Sequence, residues 1–145
     1  MGSARLVGMN HAALEVGDVD EAVDLYGRLF SFELRGRSPR AAFIDMGDQF
    51  LALMAGRGQE PDGRRHIGLV VDDLAAARAA VEREGLRMLG SGGLDFLDPW
   101  GNHIQVVAYA DVQFERTPAV KRKLGIEDVA KSQRALDEIA GRGLA

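Results

Sequence analysis

The chain has 145 residues, a net charge of −4 and no cysteine, which excludes disulfides, thiolate metal sites and cysteine nucleophiles. A chain of this size buries about 70% of its unfolded surface, enough for one domain with a real core. Acidic and basic residues are interspersed with only 6% aromatics, and no apolar run reaches membrane length; neither a nucleic-acid nor a membrane partner is expected, and a soluble cytoplasmic protein is.

The first strand is expected in VGMNHAALEV, residues 7–16. Residues 7, 9, 11, 13 and 15 take one face; 12, 14 and 16, all apolar, take the other. A helix follows, with Asp18 as N-cap and Glu21 completing a capping box. Val19, Ala22, Val23, Tyr26, Leu29 and Phe30 form its apolar stripe. Three short strands follow near 32–37, 41–46 and 50–55, and AGRGQEPDGR, residues 55–64, links to the next segment.

That segment repeats the plan. His66 lies 55 residues after His11, and the same shift sets Leu69 on Leu14, Val71 on Val16, Asp73 on Asp18 and Ala77 on Ala22. Asp73 caps a second helix, LAAARAAVERE, and Gly85 suits its C′ position. Strands are expected near 86–89, 94–97 and 103–109, with DPWGN as a type I turn between the last two. Residues 111–145 form a C-terminal extension: a helical turn near 119–124, then an amphipathic helix over IEDVAKSQRALDEIAGRG with a broken apolar stripe from Ile126 to Ala140. This stripe covers either its own domain or a second subunit.

The order β-α-β-β-β thus occurs twice. With MNHAALEVGDVDEAVDLY, DMGDQFLALM, RRHIGLVVDDLAAARAAV and FLDPWGNHIQVV, it resembles the vicinal oxygen chelate superfamily. That superfamily includes glyoxalase I, extradiol dioxygenases, bleomycin-resistance proteins, fosfomycin-resistance enzymes and methylmalonyl-CoA epimerase. The resemblance implies an α+β fold: two βαβββ units (5–55 and 64–110) in one domain over 1–110, forming an open U-shaped barrel around a cleft, helices outside.

Strand alternation turns His11, Ala13, Glu15, Phe50, Ala52, Met54, His66, Gly68, Val70, His103, Gln105 and Val107 to the cleft. Members that bind a metal carry ligands on the first and fourth strands of each unit. Those positions here are His11, Ala52, His66 and Gln105, so the resemblance implies a divalent metal (Zn, Ni, Co, Mn or Fe) on His11, His66 and Gln105. A set of three resembles the fosfomycin-resistance branch, although GNHIQVV departs from the family's GNxIEL ending. A glutamine carbonyl is neutral and a weaker donor than a carboxylate, so affinity should fall while bound water grows more acidic.

His103 stands about 6.5–7 Å along the strand from Gln105 and suits an acid or base beside the metal. Glu15 is the carboxylate placed on the His11 face, a candidate base. Phe50, Met54, Val70, Val107 and Trp100 would supply an apolar wall. The implied function is a glyoxalase-like enzyme of lyase or isomerase type, or a dioxygenase. It would chelate vicinal oxygens of a small molecule and stabilise an oxyanion. The alternative is a metal-free ligand-binding or sequestration protein of the bleomycin-resistance type. Relatives with two units per chain commonly form homodimers, and a homodimer is expected, with a site that draws on both chains.

Overall fold

The computed structural model describes residues 2–90 and 92–145. The first unit comprises β1 (His11–Val16), α1 (Val19–Leu29), β2 (Leu34–Arg37), β3 (Ala41–Asp45) and β4 (Phe50–Ala55). The second comprises β5 (Ile67–Val71), α2 (Leu74–Arg83), β6 (Arg87–Leu89), β7 (Leu94–Leu97) and β8 (His103–Ala108). The fold is α+β with the βαβββ order twice. Each unit builds its own sheet, β1-β4-β3-β2 and β5-β8-β7-β6, and the two sheets do not close into a barrel. In each sheet the first strand lies at the edge and pairs in parallel with the fourth, so β1 sets His11 opposite Phe50 and β5 sets Gly68 opposite Gln105.

The helices start where their caps dictate. The Asp18 side chain accepts from Glu21 N–H and Asp73 from Ala76 N–H, each satisfying a donor that the first turn leaves open. Gly85, at φ +66, follows α2 in the left-handed conformation that a helix end requires. Val19, Ala22, Leu25, Tyr26 and Leu29 of α1 are buried, as are Ala77, Ala80 and Val81 of α2. All of these but Val19 share one core with Leu14, Val16, Leu51 and Leu53 of the first sheet and Leu94, Phe96, Ile104 and Val106 of the second. Each large apolar side chain buried in this way contributes about 1.5–3 kcal/mol.

The first strand begins at His11 rather than residue 7. β4 starts at Phe50, opposite His11; Phe50 N–H still reaches the Asn10 carbonyl at 3.4 Å, but no ladder pairs residues 7–9. Leu6, Val7 and Met9 are 98%, 92% and 73% exposed.

Asp98 and Asn102, both buried, lock the two units together. One Asp98 oxygen accepts the backbone N–H groups of Trp100 and Asn102; the other accepts the Tyr26 hydroxyl of α1 at 2.9 Å and the Asn102 side-chain N–H at 2.8 Å. The same Asn102 amide donates to the Glu15 carbonyl at the end of β1. Burial, with Asp98 beside it, raises the Tyr26 pKa well above the usual phenol value, so the hydroxyl stays a donor. The turn DPWGN closes with Gly101 N–H donating to the Asp98 carbonyl. Gly101 has φ +85, and a Cβ there would lie 2.7 Å from Pro61 Cα, so the linker packs on a bare backbone. Arg57 and Arg65 tie that linker down through Gln59, Glu60, Asp62 and Asn102. The close approach is on the Gly101 side; the linker's own Gly56 and Gly63 have open space around them.

The extension carries α3 (Pro118–Leu124) and α4 (Gln133–Gly141). The helix expected from residue 126 starts only after Ser132, whose hydroxyl caps it by accepting from Ala135 N–H. Lys131 prevents an earlier start: its ammonium donates to the carbonyls of Tyr109 and Val112 and lies 3.8 Å from the Tyr109 ring centroid. Ala135 and Ile139 are fully buried, and α4 packs on the 3-10 turn Tyr109–Asp111. The apolar stripe thus covers its own chain, while Leu136 is 44% exposed.

Candidate functional site

Each sheet has a face turned away from the buried side chains, and the chemistry expected from the sequence sits there. On the first sheet His11 is exposed at the start of β1. Its ring stacks on Phe50 at 4.6 Å, tilted by 10°, and Phe43 meets Phe50 edge-on at 5.7 Å. His11 Nδ1 donates to Asn10 Oδ1 at 2.7 Å. Since that oxygen only accepts, the neutral ring carries its proton on Nδ1, the tautomer whose Nε2 can donate a lone pair. Ala52 also belongs to this face, but it is 2% exposed and carries no donor atom.

On the second sheet His66 stands just before β5, exposed, with Nδ1 donating to the Arg64 carbonyl at 2.8 Å. Its Nε2 is therefore also left with a lone pair. Carbonyl or carboxamide oxygens that fix the tautomer in this way are what metal-ligating histidines require around them. Gln105 reaches across toward β5, its side-chain oxygen 3.9 Å from where a Cβ on Gly68 would lie, an ordinary contact distance.

His103 is placed differently. Its ring lies 5.0 Å from that of His66. Nδ1 donates to the Gly63 carbonyl at 2.8 Å and Nε2 to Asp95 Oδ1 at 2.7 Å. Both nitrogens face acceptors, so neither is free to ligate. Burial lowers the His103 pKa, but Asp95, the Gly63 carbonyl and Asp62 outweigh it and hold the pKa above the ordinary value. Asp95 was not singled out in the sequence. The signal was available, because the β7–β8 pairing sets Asp95 directly opposite Gln105 on one face.

The structure gathers His66, His103, Asp95 and Gln105 on one face and places His11 on the matching face of the other sheet. Among the described residues no hydrogen bond or ring contact joins His11 to His66. No group of three or more His, Cys, Asp or Glu side chains among them is arranged to hold a metal. Glu15, half-buried and four residues after His11 on the same strand face, has its carboxylate 3.5 Å from the Gly58 N–H. Met54 and Val70 are exposed on these faces. Trp100 instead packs on the core, its indole nitrogen 2.8 Å from where a Gly17 Cβ would sit. A cavity of about 440 Å³ lies between the end of α1, β5 and the extension; Gly68 and Val70 line it, but none of the histidines does.

The glyoxalase/bleomycin resistance protein/dioxygenase family model matches residues 8–106, which takes in both units. The chain belongs to this superfamily. Among solved structures the fosfomycin resistance protein FosX from Mesorhizobium loti is similar, with 20% identity, 70% of this chain and 91% of that one covered, and a TM-score of 0.61. FosX from Listeria monocytogenes, solved with Mn(II) and sulfate, has 16% identity over 72% and 93% of the two chains and a TM-score of 0.62. A superfamily protein from Alicyclobacillus acidocaldarius has 20% identity over 70% and 91%, with a TM-score of 0.55. No curated protein matches the chain. At these identities the likenesses show the fold. The superfamily includes metal-dependent enzymes, and no helix of this member is long and apolar enough to cross a membrane.

Proposed function

We propose that this superfamily member is a divalent-metal-dependent enzyme of the glyoxalase type, acting on a small molecule with two neighbouring oxygens. The observation that carries the reading is the matched state of His11 and His66. Each donates Nδ1–H to an oxygen and keeps Nε2 free, at positions related by the internal repeat. Gln105, beside His66, would complete the donor set. Imidazole and amide oxygen donors suit a borderline cation such as Mn, Fe, Co, Ni or Zn. When bound, such a cation polarises substrate oxygens and stabilises an oxyanion.

The chain's own groups do the rest. His103, fixed by Asp95 and Gly63, keeps a proton-bearing ring beside His66 and offers positive charge to a developing anion. Phe50 and Val70 keep the approach apolar. Glu15 remains a candidate base at the far end of the His11 face. His11 and His66 make no contact within one chain, so the reading includes a homodimer in which one copy's first unit meets the other's second.

The test is metal content after dialysis against Mn(II) or Zn(II), followed by size-exclusion with light scattering. The wild type should hold about one ion per chain as a dimer, and His11→Ala and His66→Ala should each lose it. A protein that binds no divalent ion but retains apolar ligands would instead be a sequestration protein of the bleomycin-resistance kind. The neutral Gln105 and the empty Ala52 position favour that second reading.

A further inference from the structure

Arg35 is set apart from the functions above. β2 and β3 pair Leu34 with Ile44 and then Gly36 with Phe43, so β2 carries one extra residue, and that residue is Arg35. Such a bulge re-aims the side chain of the inserted residue. Here the guanidinium carbon lies 4.6 Å from the Phe50 ring centroid, two strands away. Phe50 is also the ring on which His11 stacks.

Of the other arginines near this sheet, Arg37 is occupied by Asp20 and Arg116 by Asp48 and the Met46 carbonyl, while Arg40 in the β2–β3 turn stacks on no ring among the described residues. Among the described residues the Arg35 guanidinium has no hydrogen-bond or ion-pair partner. Asp45 lies on the same face and feels the Arg35 charge, but it is paired with Lys123 at 3.2 Å and accepts from Gly47 N–H. An exposed guanidinium held over an aromatic ring has its flat donor fork pre-oriented and lightly hydrated, and carboxylates and phosphoryl groups match that fork.

We infer that Arg35 is the anion anchor of this site, and that the substrate carries a carboxylate or phosphoryl group that pairs with the Arg35 guanidinium at the edge of the His11–Phe50 stack. The inference deepens the proposed function by naming the substrate's charge class. It rests on that reading only for the identity of the pocket.

The test uses metal-free full-length protein, so that it is independent of the metal. Inorganic phosphate, and separately acetate, is titrated while the ring-proton NMR signals of His11 are followed. Wild type should show saturable shifts at His11. Arg35→Gln should weaken the response about tenfold or more, as expected for losing a charge-assisted pair, and Arg35→Lys should retain part of it. Tighter binding of phosphate than of acetate assigns a phosphoryl group, and similar binding a carboxylate. Equal responses in wild type and Arg35→Gln, both folded by circular dichroism, would overturn the inference. Divalent ions titrated onto the same variants separate the two claims. Failure of the wild type to bind metal removes the proposed function while leaving the phosphate result to decide on Arg35.

Discussion

The Tyr26 hydroxyl donates to Asp98 Oδ2 at 2.9 Å in a fully buried contact between residues 72 positions apart. It joins α1 of the first unit to the β7–β8 turn of the second. Asp98 accepts four donors in all, so its loss would strand several buried N–H and O–H groups at once. Asp98→Ala is expected to cost about 3 kcal/mol or more, and Tyr26→Phe, which leaves Asp98 with three donors, about 1–2 kcal/mol. Urea unfolding of the three proteins checks the order. No loss in either variant would show that the units are held by apolar packing alone.

Acid should loosen the C-terminal extension first. Asp45 holds Lys123, and Glu115 accepts from Tyr109 and Lys121. Burial raises the Asp45 pKa, but the Gly47 N–H and Lys123 outweigh it, and the net shift is downward. The Tyr109 hydroxyl lowers Glu115. Folded values below the unfolded ones mean that the ionised form favours the fold. This stability is complete above the unfolded carboxyl range, roughly pH 4, and is lost as pH falls through the lower folded values. Hydrogen exchange at α3 should accelerate below about pH 4, and Asp45→Asn should show part of that effect already at pH 7. No change in α3 exchange down to the acid-unfolding pH would contradict this.

The strands and helices were legible because their signals are local. Asp18 and Asp73 stand at helix starts by residue type alone, and the period-2 alternation of Ala12–Leu14–Val16 and Ile104–Val106 fixed the buried faces. The position of Gln105 also followed from parity. What escaped depends on distant partners. Residues 7–9 alternate like a strand, but the neighbouring strand, which starts at Phe50, reaches back only as far as Asn10. Ser132 stops the last helix from extending backward because Lys131 is engaged by Tyr109 and Val112, twenty residues upstream. The Arg35 bulge is invisible without the β2–β3 register. Asp95 became a partner of His103 only through the β7–β8 hairpin, and Asp98, legible as a turn residue, gave no sign of Tyr26.

The neutral donor Gln105 gives a direct handle on the metal. Gln105→Glu adds an anionic oxygen at the same reach, and a unit charge within about 4 Å is worth several kcal/mol even at a surface-like dielectric. Divalent affinity by titration calorimetry should rise about tenfold or more. An unchanged affinity would remove Gln105 from the coordination set.

The central claim is that one metal site needs His11 and His66 together and takes them from two copies of the chain. Heterodimers prepared from His11→Ala and His66→Ala chains, carrying different affinity tags, test it by bound Mn(II) or Zn(II) after equilibrium dialysis. Each parent variant should bind none. In the heterodimer one site has both substitutions and the other has neither, so the account predicts one ion per heterodimer. No recovered ion in the heterodimer, with wild type fully loaded, would contradict it.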